Sequence, residues 1–135
     1  MFEHFLQAQS DTYAQALAEL KRGRKQSHWM WFVFPQIVGL GRSEMALRFS
    51  LSGLQDAAMY LSHPILGIRL HEATQAVLLH ARHATAHDIF GSPDDLKFRS
   101  SMTLFSRAAP ELSLFTQALA AFYDGAEDPE TIQRL

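Results

Sequence analysis

Ser27-His28-Trp29-Met30-Trp31-Phe32-Val33-Phe34-Pro35-Gln36 is the stretch on which the fold turns. Six apolar residues run without a break from Trp29 to Phe34, and both tryptophans of the chain are among them. A segment that is apolar on every face has no side to turn to water, so it belongs inside the molecule. Pro35 lacks an amide proton and restricts the residue before it, which ends the segment there. The reading is a short buried helix. A buried strand is the alternative, because tryptophan, phenylalanine and valine suit both. Arg22-Gly23-Arg24-Lys25 forms a basic lead-in to this block.

The chain around it has 135 residues, 47% hydrophobic and 19% charged. That length carries one hydrophobic core, so residues 1–135 are expected to form a single domain. The composition is that of a folded protein rather than a disordered one. A formal net charge of −2 gives no global attraction to nucleic acid or to anionic membranes. No apolar run approaches the roughly 20 residues needed to cross a bilayer. The first ten residues, MFEHFLQAQS, lack the basic and apolar regions of a secretory signal. The absence of cysteine removes disulfides, thiolate metal sites and a cysteine nucleophile together. A cytoplasmic, bacterial-type protein fits these features.

Helical periodicity and punctuation predict the rest. Phe2, Phe5 and Leu6 form an apolar cluster that docks the amino terminus. Ser10 or Asp11 caps a helix running to about Arg22, with Tyr13, Ala16, Leu17 and Leu20 as its apolar stripe and Gly23 as its stop. Ser27 is the expected cap of the aromatic segment. Beyond the Gly39-Leu40-Gly41 loop, Ser43 caps a short helix, and Ser52 with Gln55 has the spacing of a capping box opening a helix to about Leu61. Pro64 starts the next helix, which buries Leu66, Leu70, Ala73, Val77 and His80. Gly67 inside it costs about 1 kcal/mol relative to alanine, which points to close packing against a neighbour.

Thr85 caps one further turn ending at Phe90-Gly91. Ser92-Pro93-Asp94-Asp95 then reads as a helix start, with serine at the cap and proline at the first position. That helix reaches about Arg107. Pro110-Glu111 opens another, carrying Leu112, Phe115, Leu119 and Phe122 on one face, and Asp128-Pro129 opens the last. No alternating pattern of strand length occurs. The expected fold is all-α: one compact multihelical domain built around the buried aromatic segment.

Four motifs carry a resemblance: SHWMWFVFPQ, the following GLGRS (39–43), the HPILG-R-L pattern (63–70) and IFGSPDDLKFRSSMTLF (89–105). In this order they resemble a small bacterial family, domain of unknown function 1810, over about Phe5 to Leu135. The resemblance implies a single all-α domain and brings no established activity or ligand. The label calpastatin sometimes given to this family has no support in the composition, because calpastatins are long disordered inhibitors.

The candidate chemistry therefore comes from the residues. On the helix after Phe90, the side chains of Asp94, Lys97 and Ser101 share a stripe beside the apolar face of Phe98, Met102 and Phe105. This stripe is either the wall of an anion pocket or a solvated Asp–Lys pair with packing serines. Arg24, Lys25, His28, Gln36 and Arg42 bracket the aromatic segment, as an anion site beside Trp29 or Trp31 or as plain solvation of a helix end. The glycine spacing matches neither a Walker nor a Rossmann fingerprint. His80, His83 and His87 have ligand-like spacing, yet Thr85 interrupts their helix and surface placement explains them, so no metal is expected. No nucleophile elbow is present. Asp94 or His28 is the expected proton carrier if chemistry occurs, with His63 as a further base.

The function expected from these residues is binding of a small anionic ligand, phosphate-bearing or nucleotide-like, in an interhelical cleft. Lys25, His28, Gln36, Arg42, Asp94, Lys97 and Ser101 line it, without membrane, nucleic acid or cofactor. The alternative is a non-enzymatic adaptor that docks a protein partner on an exposed helix face. A ligand site requires Gln36, Arg42, Asp94 and Lys97 to converge in one hollow, whereas an adaptor requires an apolar patch elsewhere.

Overall fold

The computed structural model describes residues 1–135. Ten helices follow one another: α1 (Glu3–Ser10), α2 (Tyr13–Arg22), α3 (Met30–Val33), α4 (Glu44–Arg48), α5 (Leu54–Ser62), α6 (Leu66–Leu78), α7 (Ala86–Phe90), α8 (Asp94–Ala108), α9 (Leu114–Tyr123) and α10 (Pro129–Gln133). The one extended pairing is an isolated parallel bridge between Ile37 and Leu51. The all-α expectation holds.

The longest helix, α8, is the axis of the bundle and packs against α5, α7, α9 and α10. Its Phe98, Met102 and Phe105 are fully buried. The aromatic block lies across the same core. Phe34 meets the edge of Phe98 at 5.0 Å and of Phe90 at 6.0 Å, while Phe32 lies 5.3 Å from Phe49. Such edge-to-face pairs contribute about 0.5–1.5 kcal/mol each beyond area burial. Met30, Phe32, Val33 and Phe34 are buried as expected, but Trp31 is only half-buried. The segment is thus not enclosed on every side: successive residues of a helical turn diverge by about 100°, and Trp31 leaves toward the surface.

Several caps fall where the sequence places them. Gly23 ends α2 with a left-handed φ of 83°. Ser43 accepts from Ala46 N, Thr85 and Asp88 form a capping box, and Asp128 caps α10 ahead of Pro129. Other caps differ. Ser10 belongs to α1, and Thr12, without a side-chain bond, precedes α2. The Ser52–Gln55 box does not form, because Gly53 stands at the cap and Asp56 reaches back to Ser52 N instead. His63 Nδ1 accepts from Ile65 N and Leu66 N, so α6 begins two residues after Pro64. Pro93, not Ser92, occupies the cap of α8, following a cis peptide bond. α9 starts at Leu114, later than Pro110, and leaves Leu112 39% exposed.

Gly67 has the close neighbour its position implies. A Cβ there would stand 1.9 Å from the Leu61 carbonyl oxygen, so the α5–α6 crossing requires glycine.

Candidate functional site

The two tryptophans of the aromatic block have opposite surroundings. Trp29 is fully buried, and its Nε1–H donates to Glu19 Oε1 at 2.9 Å. Glu19 is itself buried on α2 and gathers four further donors: Gln26 N at 2.7 Å, Ser27 N at 3.0 Å, Ser27 Oγ at 2.6 Å and Gln15 Nε2 at 2.9 Å. Burial alone pushes a carboxyl pKa up. The bonds from Ser27, Gln26, Gln15 and Trp29 outweigh it and hold Glu19 at about 2. Ser27 therefore does not cap the aromatic helix, since its hydroxyl is committed to Glu19 and Trp29 occupies the cap. All acceptors here are engaged, and no ligand is needed to complete them.

A charged bridge leads from this side to the other. Lys25 Nζ lies 2.9 Å from Asp94 Oδ2 with its side chain only 8% exposed, donates to Ser27 O at 2.6 Å and stands 5.1 Å over the Trp29 ring. Asp94 Oδ1 is 3.4 Å from Lys97 Nζ, a looser pair. Two cations thus share one carboxylate, and the net positive charge is presented at Lys97.

Lys97 stands at a hollow of about 400 Å³. Trp31 from α3 forms one wall, with Lys97 Nζ 5.0 Å from its ring centroid. The loop from Gln36 to Ser43 supplies Gln36, Leu40 and Arg42; α8 and its cap supply Pro93 and Leu96; α10 and its cap supply Asp128 and Glu130. Arg42 is exposed and makes no ion pair. Gly41 is fixed by packing: a Cβ on it would stand 2.7 Å from Ala46 Cβ. On the far side Asp128 is already engaged by Ser100 Oγ at 2.7 Å and Thr131 Oγ1 at 2.6 Å. Burial would raise the Asp128 pKa, and these hydroxyl and amide donors lower it instead. Glu130 pairs with Arg134 at 3.3 Å.

Of the seven residues singled out from the sequence, Gln36, Arg42 and Lys97 line this hollow, and Asp94 stands directly behind Lys97. Lys25 reaches Asp94 from the opposite side and faces a separate recess with Arg24 and His87. His28 is exposed and is not among the lining residues. Ser101 is fully buried one turn deeper along α8, its hydroxyl without a partner, and Ser100 lines the hollow in its place. His63 spends Nδ1 on capping α6. His80 binds Leu20 O through Nε2 at 2.9 Å and His83 through Nδ1 at 3.3 Å. No cluster of three metal-ligating side chains forms. Sequence reasoning missed Glu19, Leu96, Asp128 and Glu130. Glu19 had a signal, standing beside Leu20 and three residues after Ala16 on the apolar side of α2.

Fold and hollow together define a small helical-bundle protein with one half-open aromatic wall flanked by cations. The chain belongs to the family described as protein of unknown function, DUF1810, whose model matches residues 1–135. It is similar to a solved structure, that of the conserved hypothetical protein Rv1873 from Mycobacterium tuberculosis. The two are 47% identical with a TM-score of 0.96, and the match covers 99% of this chain and 95% of that one. A comparison with curated proteins finds no match. No helix is long and apolar enough to cross a membrane.

Proposed function

We propose that the hollow between Trp31, the Gln36–Ser43 loop and the start of α8 binds a small anionic, phosphate-bearing ligand. The observation that supports this reading is the meeting of Arg42, Lys97 and Gln36, distant in sequence, around one concavity in which Arg42 has no ion pair and Lys97 only a loose, shared one. Arg42 offers a forked donor set suited to a phosphoryl or carboxylate group, Lys97 a movable point charge, and Gln36 an amide for orientation. On the acidic side Glu130 pairs with Arg134, and Asp128 keeps its charge while its oxygens accept from Ser100 and Thr131. The adaptor alternative draws on Ile68 and Leu112, exposed together beside Leu61 at a different recess.

A thermal-shift screen over inorganic phosphate, sugar phosphates, nucleotides and small carboxylates tests the reading. At least one phosphate-bearing anion is expected to raise the melting midpoint of the wild type, and the rise is expected to vanish in Lys97→Ala and in Arg42→Ala, each compared with its own unliganded midpoint. Shifts that survive both substitutions, or no shift with any anion, contradict it.

A further inference from the structure

The hollow is lined by two cations, two carboxylates and an apolar set. Lys97 and Arg42 stand toward α8 and the loop, while Asp128 and Glu130 stand at the start of α10. The half-buried Trp31 ring, Leu40, Pro93 and Leu96, the last 56% exposed, line the same hollow. Resting on the anion-binding reading above, we infer that the ligand is a flat ring system carrying a single phosphoryl group, the chemistry of a nucleoside monophosphate, rather than a bare anion or a polyphosphate.

Three observations carry this. First, a bare phosphate makes no use of an indole face and three apolar neighbours. Those surfaces reward a planar ring, which stacks on tryptophan whatever its hydrogen-bonding edge. Lys97 now lies over the Trp31 ring. A stacked ring takes that place, and the ammonium moves to the phosphoryl oxygens. Second, one phosphoryl group carries about −1.5 to −2 charges at pH 7, which Lys97 and Arg42 balance. A second or third phosphoryl would be driven toward the Asp128 and Glu130 carboxylates, and Arg134 compensates only Glu130. Third, a volume of about 400 Å³ lies near the lower end of small-molecule sites, enough for a mononucleotide and short of a dinucleotide.

Calorimetric titration of the whole chain with adenosine monophosphate, ribose 5-phosphate, inorganic phosphate and adenosine triphosphate, without added divalent cations, tests the inference. The monophosphate is expected to bind roughly tenfold or more tightly than ribose 5-phosphate, the ratio that base stacking supplies, and tighter than the triphosphate. Trp31→Leu is expected to bring it down to the ribose 5-phosphate level, while Trp31→Phe, which keeps a ring and is the gentler change, retains most of the binding. If ribose 5-phosphate equals the monophosphate in the wild type, the planar ring is wrong and the anion site stands. If the triphosphate binds as well as the monophosphate, the single-phosphoryl limit is wrong. If none of the four binds, the inference falls and the phosphate-bearing reading falls with it.

Discussion

Trp29 and Trp31 are two residues apart, yet one is closed into the protein and the other is left open. Around Trp29, a buried carboxylate answers every nearby donor, and Lys25 is held by Asp94 and Ser27. Around Trp31, Arg42 has no ion-pair partner, Lys97 shares Asp94 with Lys25, and the ring keeps an accessible face. The difference teaches how to sort polar groups around a core. Groups that satisfy one another hold the chain in place, whereas groups that converge without satisfying one another are available to a ligand. Asp94 joins the two regions, with one oxygen on each side.

The sharpest way to break this contrast is Glu19→Ala. It leaves the Trp29 indole N–H, two backbone amides and the Ser27 hydroxyl without their acceptor, a loss of about 4 kcal/mol in urea unfolding. A loss below about 1 kcal/mol would mean that the closed side is not structural. The next effect is acid sensitivity. The folded Glu19 pKa, about 2 against 4.5 for the free group, lies below its unfolded value. Its contribution of about 3 kcal/mol is therefore complete above pH 4.5 and lost as pH falls toward 2. Glu19→Gln should be less stable than wild type at pH 7, with the gap narrowing across that window; a constant gap contradicts the assignment.

Smaller effects separate the tryptophans and the cations. Trp29→Phe is expected to cost about 2 kcal/mol, because Glu19 loses a buried donor, and Trp31→Phe less than about 1 kcal/mol. Equal costs would erase the distinction. Lys97→Ala and Arg42→Ala should change unfolding stability by only about 0.5 kcal/mol while abolishing any anion-induced thermal shift.

What could be read from the chain alone follows the range of the forces involved. Caps and stops set by neighbours in sequence were legible: Gly23, Ser43, the Thr85–Asp88 box and Asp128-Pro129 depend on backbone groups within a turn. Local sequence points Ser27 to a helix cap, whereas its partner, Glu19, sits on another helix and competes better than a helix end. The all-α class and the buried aromatics follow from periodicity, and the half-open position of Trp31 depends on what α8 and α10 place beside it. Gln36, Arg42 and Lys97 could be named from their chemistry. That Ser100 rather than Ser101 faces the hollow is a matter of about 100° of helix rotation, and it was settled by which neighbours pack on α8.

The indole N–H signals of the two tryptophans give the most direct test in one experiment. In a nitrogen–proton correlation spectrum titrated with adenosine monophosphate, the Trp31 indole signal is predicted to move progressively to saturation. The Trp29 signal, locked to Glu19, is predicted to stay in place. A fixed Trp31 signal under saturating monophosphate, or movement confined to Trp29, would contradict the assignment of the hollow as the binding site.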